Sequence, residues 1–119
     1  MLAPVRESLS QDRSLVWQRV ARLPDYVYFR HDVHIAKGVG CVSCHGRIDE
    51  MALTYKAVPL TMQFCISCHR NPAPALRPAN EITHMNWRPR GDLAALGSSL
   101  LVQNHIRVGE LTDCSVCHR

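Results

Sequence analysis

Apolar and polar positions alternate in short, broken patterns along this chain. Leu15, Val16 and Trp17, then Val20 and Leu23, follow i, i+3/i+4 spacing and predict a helical arm over residues 1–24, ended by Pro24. Tyr26-Val27-Tyr28-Phe29 is aromatic and β-branched over four residues, which predicts one short N-terminal strand. Residues 70–90 hold Pro72, Pro74, Pro78 and Pro89. Each proline lacks an N–H and fixes φ, so this stretch is expected to be extended chain and not regular helix or strand. Asp92 is placed to N-cap a last helix with Leu93, Leu96, Leu100 and Leu101 on its apolar face, closed by Gly109. The pattern predicts a small, mainly α and irregular fold with little regular structure. The arm over 1–24 precedes a single domain over 25–119.

Composition sharpens this into a problem of volume. The chain has 119 residues, one domain's worth, and 46% are hydrophobic but only 6% aromatic. Aromatic side chains normally bury the largest areas in a core. Here two Trp, three Tyr and two Phe stand beside six Cys and seven His, so core volume has to come from elsewhere. The formal charge of +4 hints at an anionic partner, but no basic run occurs. Arg6, Arg13, Arg19, Arg22 and Arg30 are spread out, and solvation explains them better than nucleic-acid binding. No stretch approaches the 18 or so apolar residues needed to span a bilayer. Met1 to Ser10 does not form a signal peptide, because Glu7 and Ser8 interrupt any apolar region. An exported protein would have had its targeting segment removed, or would carry it elsewhere.

All six cysteines fall into one repeated pattern: Cys41-Val42-Ser43-Cys44-His45, Cys65-Ile66-Ser67-Cys68-His69 and Cys114-Ser115-Val116-Cys117-His118. C-x-x-C-H is a c-type haem attachment pattern. Two thiols add to the two vinyl groups on one porphyrin edge as thioethers, and the following His lies beneath the iron as proximal ligand. A disulfide framework gives no reason for a His after every second Cys. A thioredoxin-type pair needs a β-α-β context that is missing here. Zinc sites join C-x-x-C units two by two, and three units leave one over. The expectation is three covalently bound haem c groups, with Cys41, Cys44, Cys65, Cys68, Cys114 and Cys117 as thioether positions and His45, His69 and His118 as proximal ligands. The haems then form the core. Attachment of this kind takes place on the outer face of an energised membrane, which implies a periplasmic location. It also removes charge as a clue, since three haems bring the total to about +1 when ferric and about −2 when ferrous.

Sixth ligands must come from the remaining His31, His34, His84 and His105 or from the thioethers Met51, Met62 and Met85. His31 and His34 are i, i+3, so on a helical turn they share a face with Cβ atoms about 5–6 Å apart. Two histidines that close can serve two different irons.

Phe29-x-His31-x-x-His34, a Gly-containing turn and Cys41-x-x-Cys44-His45 resemble the opening of class III multihaem cytochromes. That resemblance implies that His31 pairs with His45 and His34 with His69. It also implies that Met62, three residues before Cys65, is the distal ligand of the last haem. Met62 ranks first there, His105 and Met85 follow equally, and His84 is last. A longer resemblance runs through Leu23-Pro24-Asp25-Tyr26-Val27-Tyr28-Phe29, Gly38-Val39-Gly40-Cys41-Val42-Ser43-Cys44-His45-Gly46-Arg47, Pro59-Leu60-Thr61-Met62 and Cys68-His69-Arg70-Asn71-Pro72. These segments are similar to the C-terminal part of the pentahaem cytochrome subunit of alternative complex III, a bacterial quinol:electron-acceptor oxidoreductase. Two differences stand out. The upstream part with two more haem motifs and a membrane anchor has no counterpart in this chain, and Ala21 occupies a position where that family has a His. Both fit a true trihaem protein.

The expected function is electron transfer between redox protein partners in a respiratory chain, within or docked to a quinol-oxidising membrane complex. No nucleic acid is involved and no segment spans the membrane, although peripheral association fits an apolar face around Trp17. Six-coordinate irons leave no substrate site, so no catalytic residue is expected. The rival expectation is a haem enzyme or small-ligand-binding protein with one five-coordinate iron.

Overall fold

The computed structural model describes residues 2–118. Among them are six α-helices: α1 (Ala3–Ser10), α2 (His31–Ala36), α3 (Val42–His45), α4 (Met62–Arg70), α5 (Leu93–Gln103) and α6 (Cys114–Cys117). Four 3-10 turns join them, at Ile48–Glu50, Ala73–Ala75, Ala79–Glu81 and Val108–Glu110. β-Structure among the described residues is limited to two isolated antiparallel bridges, Val27 to His118 and Val39 to Leu76. A mainly helical and irregular chain is what the sequence predicts.

The N-terminal arm departs from expectation. Helix is confined to Ala3–Ser10, started by a proline in its first turn. The predicted stripe from Leu15 to Leu23 has no regular structure. Val16 is 92% and Trp17 82% exposed while Leu15 and Leu23 are half-buried, so the stripe does not turn one continuous face to the fold. An apolar stripe that does not pack as one face contributes little to offset helix nucleation. The predicted strand at Tyr26–Phe29 is likewise reduced to a single bridge at Val27, because the chain enters α2 at His31 before a ladder can extend.

The proline-rich stretch has no long helix or strand, as expected, but it is less extended than predicted: two 3-10 turns are followed by further turns at Ile82–Thr83 and Met85–Asn86. It forms the inner wall of the fold. Gly40 N–H donates to Ala75 O at 2.9 Å and Arg77 N–H to Gly38 O at 2.8 Å, so the turn after α2 is pinned along residues 75–77. Gly38 permits that turn with φ +83, a left-handed value that a β-carbon would strain. Leu76, at its centre, is only 1% exposed.

Helix α5 starts where predicted, and Asp92 Oδ1 accepts from Ala94 N–H at 2.8 Å. It packs against the turn at Ala73–Ala75 through Gly97 and buries Leu100. Its end lies at Gln103, earlier than the predicted closure at Gly109. The reason is tertiary. Lys37 Nζ donates to Asn104 O at 2.8 Å, and Asn104 Nδ2 donates back to Lys37 O at 3.0 Å. This exchange holds the backbone at the helix end, and His105 turns away with φ +50.

The polypeptide has little interior of its own. Among the described residues, Leu76 and Leu100 are the buried hydrophobic side chains. Accessible surface is 9312 Å², against about 6,500 Å² for a folded chain of this mass. The radius of gyration is 17.3 Å, against about 13–14 Å for a compact domain of this length.

Candidate functional site

Each cysteine motif sits on a helical turn. Cys41 precedes α3, α4 contains the whole second motif, and α6 contains both cysteines of the third. The i, i+3 spacing on such a turn brings both sulfurs to one side and leaves the following His near them. Thr61 caps α4, its Oγ1 accepting from Phe64 N–H at 3.3 Å. All six thiols are free of disulfide bonds. Burial pushes the Cys44 thiol above its usual range, and negative charge on Cys68, Cys65 and Cys41 adds to this. Burial raises Cys65 as well, with Cys117 contributing, and raises Cys68, with Cys65 contributing. The first and second motifs are thus electrostatic neighbours, and so are the second and third.

Helix α2 places two histidines against two motif histidines. The rings of His31 and His45 are 6.1 Å apart, centre to centre, with planes at 90°. Those of His34 and His69 are 6.0 Å apart at 29°. Two metal–imidazole bonds of about 2.0 Å, plus the nitrogen-to-centre distance in each ring, give about 6.3 Å for imidazoles sharing one metal. Both separations are close to that value.

Hydrogen bonds orient several of these rings. His34 Nδ1–H donates to Arg30 O at 2.8 Å, and His69 Nδ1–H donates to Leu111 O at 2.8 Å. A carbonyl can only accept, so the proton must be on Nδ1 and Nε2 keeps its lone pair for a metal. Phe29 leans on both α2 histidines, 4.6 Å from His34 and 6.0 Å from His31.

His118 is held by the N-terminal segment. Its Nδ1–H donates to Tyr26 O at 3.3 Å, and the Tyr26 ring stacks on it at 5.8 Å. Tyr28 N–H donates to Cys117 O at 2.9 Å. A cleft beside His118 is lined by Cys114, Cys117, Met62, Cys65, Val27 and Leu23, among others. Met62 opens α4 and shares a face with Cys65 and His69 at i+3 and i+7, so one face of α4 serves this cleft. The alternatives His105, Met85 and His84 are not among the described residues lining it. His105 lies beyond the end of α5, where its carbonyl accepts from Lys37 Nζ at 3.4 Å. His84 Nδ1–H donates to Glu81 Oε2 at 2.6 Å.

Several groups at the site carry no signal in the sequence pattern. The carbonyls of Arg30, Leu111 and Tyr26 act through the backbone, which every residue type has. Lys37 and Asn104 meet only in the folded chain. Arg77 passes over Gly40, sets its guanidinium 4.8 Å from the Trp87 ring and donates from Nη1 to Trp87 O at 3.3 Å. Burial lowers its pKa below the usual range, and the charge of Arg88 lowers it further. The guanidinium–indole contact is a cation–π pair that locks the wall behind the first motif.

No helix among the described residues is long and apolar enough to cross a membrane. Comparison with curated proteins found no match to the chain. The family model described as cytochrome c7 and related cytochrome c matches residues 27–119, and the chain belongs to that family.

Proposed function

We propose that this protein is a trihaem electron relay with three distinct ligand sets. Cytochromes of this family are multihaem electron carriers that bind c-type haem covalently and are typically periplasmic. Beyond that coarse statement, His31 with His45 and His34 with His69 form two bis-histidine sites, and His118 with Met62 forms the third. Cys41 and Cys44, Cys65 and Cys68, and Cys114 and Cys117 are the thioether positions. Residues 25–119 make up the haem domain, with 1–24 as an arm outside it. Redox proteins are the partners, and a quinol-oxidising complex of the respiratory chain is the proposed setting.

The observation that carries this is the pair of imidazole separations, 6.1 and 6.0 Å, each of which suits a shared metal. Haem, when bound, supplies reversible one-electron exchange at iron. The chain's own residues do the rest. The cysteines would hold each haem covalently, His31 with His45 and His34 with His69 would supply the iron ligands at two sites, and the carbonyls of Arg30 and Leu111 accept Nδ1 protons so that Nε2 stays a donor. His/Met ligation raises a site's potential above bis-His, so the His118 site is the electron exit and the other two feed it.

Intact mass of the holoprotein tests the haem number: an increment of three haems over the 13.4 kDa chain is expected, and two or four would overturn the scheme. Carbon monoxide tests the rival with an open iron. The native reduced protein is expected not to bind it, and binding would turn the assignment toward a five-coordinate site.

A further inference from the structure

Two sites with the same ligand set need not have the same potential. We infer that the His34/His69 site is the low-potential member of the bis-histidine pair, because the backbone around it acts on both of its imidazoles. This rests on the ligand pairing proposed above.

Two observations point the same way. His34 Nδ1–H donates to Arg30 O and His69 Nδ1–H to Leu111 O, both at 2.8 Å. A proton shared with a carbonyl moves electron density onto the ring and raises its basicity as a ligand. A more basic ligand stabilises ferric over ferrous iron and lowers the potential. His31 and His45 have no such backbone acceptor among the described residues. The second observation is ring orientation. Planes at 29° let both imidazoles donate into the same iron d orbital, whereas planes at 90° divide that donation between two orbitals. The parallel arrangement favours the ferric state, and the perpendicular one leaves the two d orbitals nearly equal in energy.

Burial acts in the opposite sense, since it disfavours the extra positive charge of ferric iron. His34 and His69 are only half-buried, while His31 and His45 are exposed. The carbonyl contacts and the ring orientation both act directly on the His34 and His69 rings, and the measured order of potentials weighs them against burial. The carbonyls of Arg30 and Leu111 are positioning groups: they do not touch the metal, but set what its ligands donate.

Electron paramagnetic resonance of the holoprotein, recorded at stepped potentials, tests this. The perpendicular pair is expected to give a strongly anisotropic low-spin signal with a large principal g value, and the near-parallel pair an ordinary rhombic one. On stepwise oxidation of the reduced protein the rhombic signal is expected to appear first. Appearance of the anisotropic signal first, or of both together, would overturn the inference. His31→Met separates that failure from failure of the pairing itself. It is expected to remove the anisotropic signal and spare the rhombic one. Survival of both signals in that variant would overturn the ligand pairing. The order of potentials in the unmodified protein stands as a test even if the variant does not fold.

Discussion

A ligand histidine usually donates its other ring N–H to a second group, and the residues here differ in how that is done. His34 and His69 give their Nδ1 protons to carbonyls at 2.8 Å, whereas His118 makes a longer contact of 3.3 Å to Tyr26 O. A longer hydrogen bond transfers less density to the ring, which suits the proposed high-potential role of the His118 site. Met62 is the residue on which that role depends. Met62→Ala is expected to open the sixth position, so that the reduced variant binds carbon monoxide and the oxidised variant loses the weak sulfur-to-iron band at the red end of the spectrum. An unchanged spectrum would remove Met62 from the ligand set. The spacing of His31 and His34 made both legible as ligand candidates. Met62 ranked first only through the resemblance, because nothing local tells a ligand from core filler.

At the scale of elements, the packing of α5 on the turn at Ala73–Ala75 is the most extensive contact between elements among the described residues. A β-carbon at Gly97 would lie 2.7 Å from Ala73 O and 2.9 Å from its Cβ. Gly97→Ala gains helix propensity of about 1 kcal/mol, but overpacking against backbone costs about 1–3 kcal/mol. A net loss is expected, read as a lower midpoint in thermal unfolding of the holoprotein; a higher midpoint would show that the turn yields. Asp92→Ala removes the cap of the same helix and is expected to cost about 1 kcal/mol by the same measurement. The cap and the Leu100 face were readable from sequence because both are local. The end of α5 was not, since Lys37 and Asn104 decide it across the fold. The arm shows the converse: apolar spacing predicted helix over residues 1–24, but only Ala3–Ser10 is helical, and the Leu15–Leu23 stripe, with Val16 and Trp17 exposed, is not.

At the scale of the whole molecule, the chain exposes far more surface than a self-sufficient domain of its mass, and its buried hydrophobic side chains are two leucines among the described residues. Hydrophobic burial by the polypeptide alone cannot offset the conformational entropy of ordering it. The proposed haems supply the missing flat apolar bulk. A variant with all six cysteines replaced by serine is therefore expected to show no cooperative thermal transition and to be digested rapidly by protease. A sharp transition in that variant would mean that the polypeptide builds a core of its own.

The sequence by itself determined the chemistry: three cysteine pairs each followed by His, two more histidines one helical turn apart, and too few aromatics for a core. Those features are local or compositional, and their meaning survives in any fold that keeps them. The resemblance already implied which imidazoles pair; only the tertiary structure decided at what angle they meet and which carbonyls hold them. Those relations join residues far apart in the chain, such as His69 with Leu111 and Tyr26 with His118. They act through backbone atoms common to all residues, so no pattern of side chains could announce them.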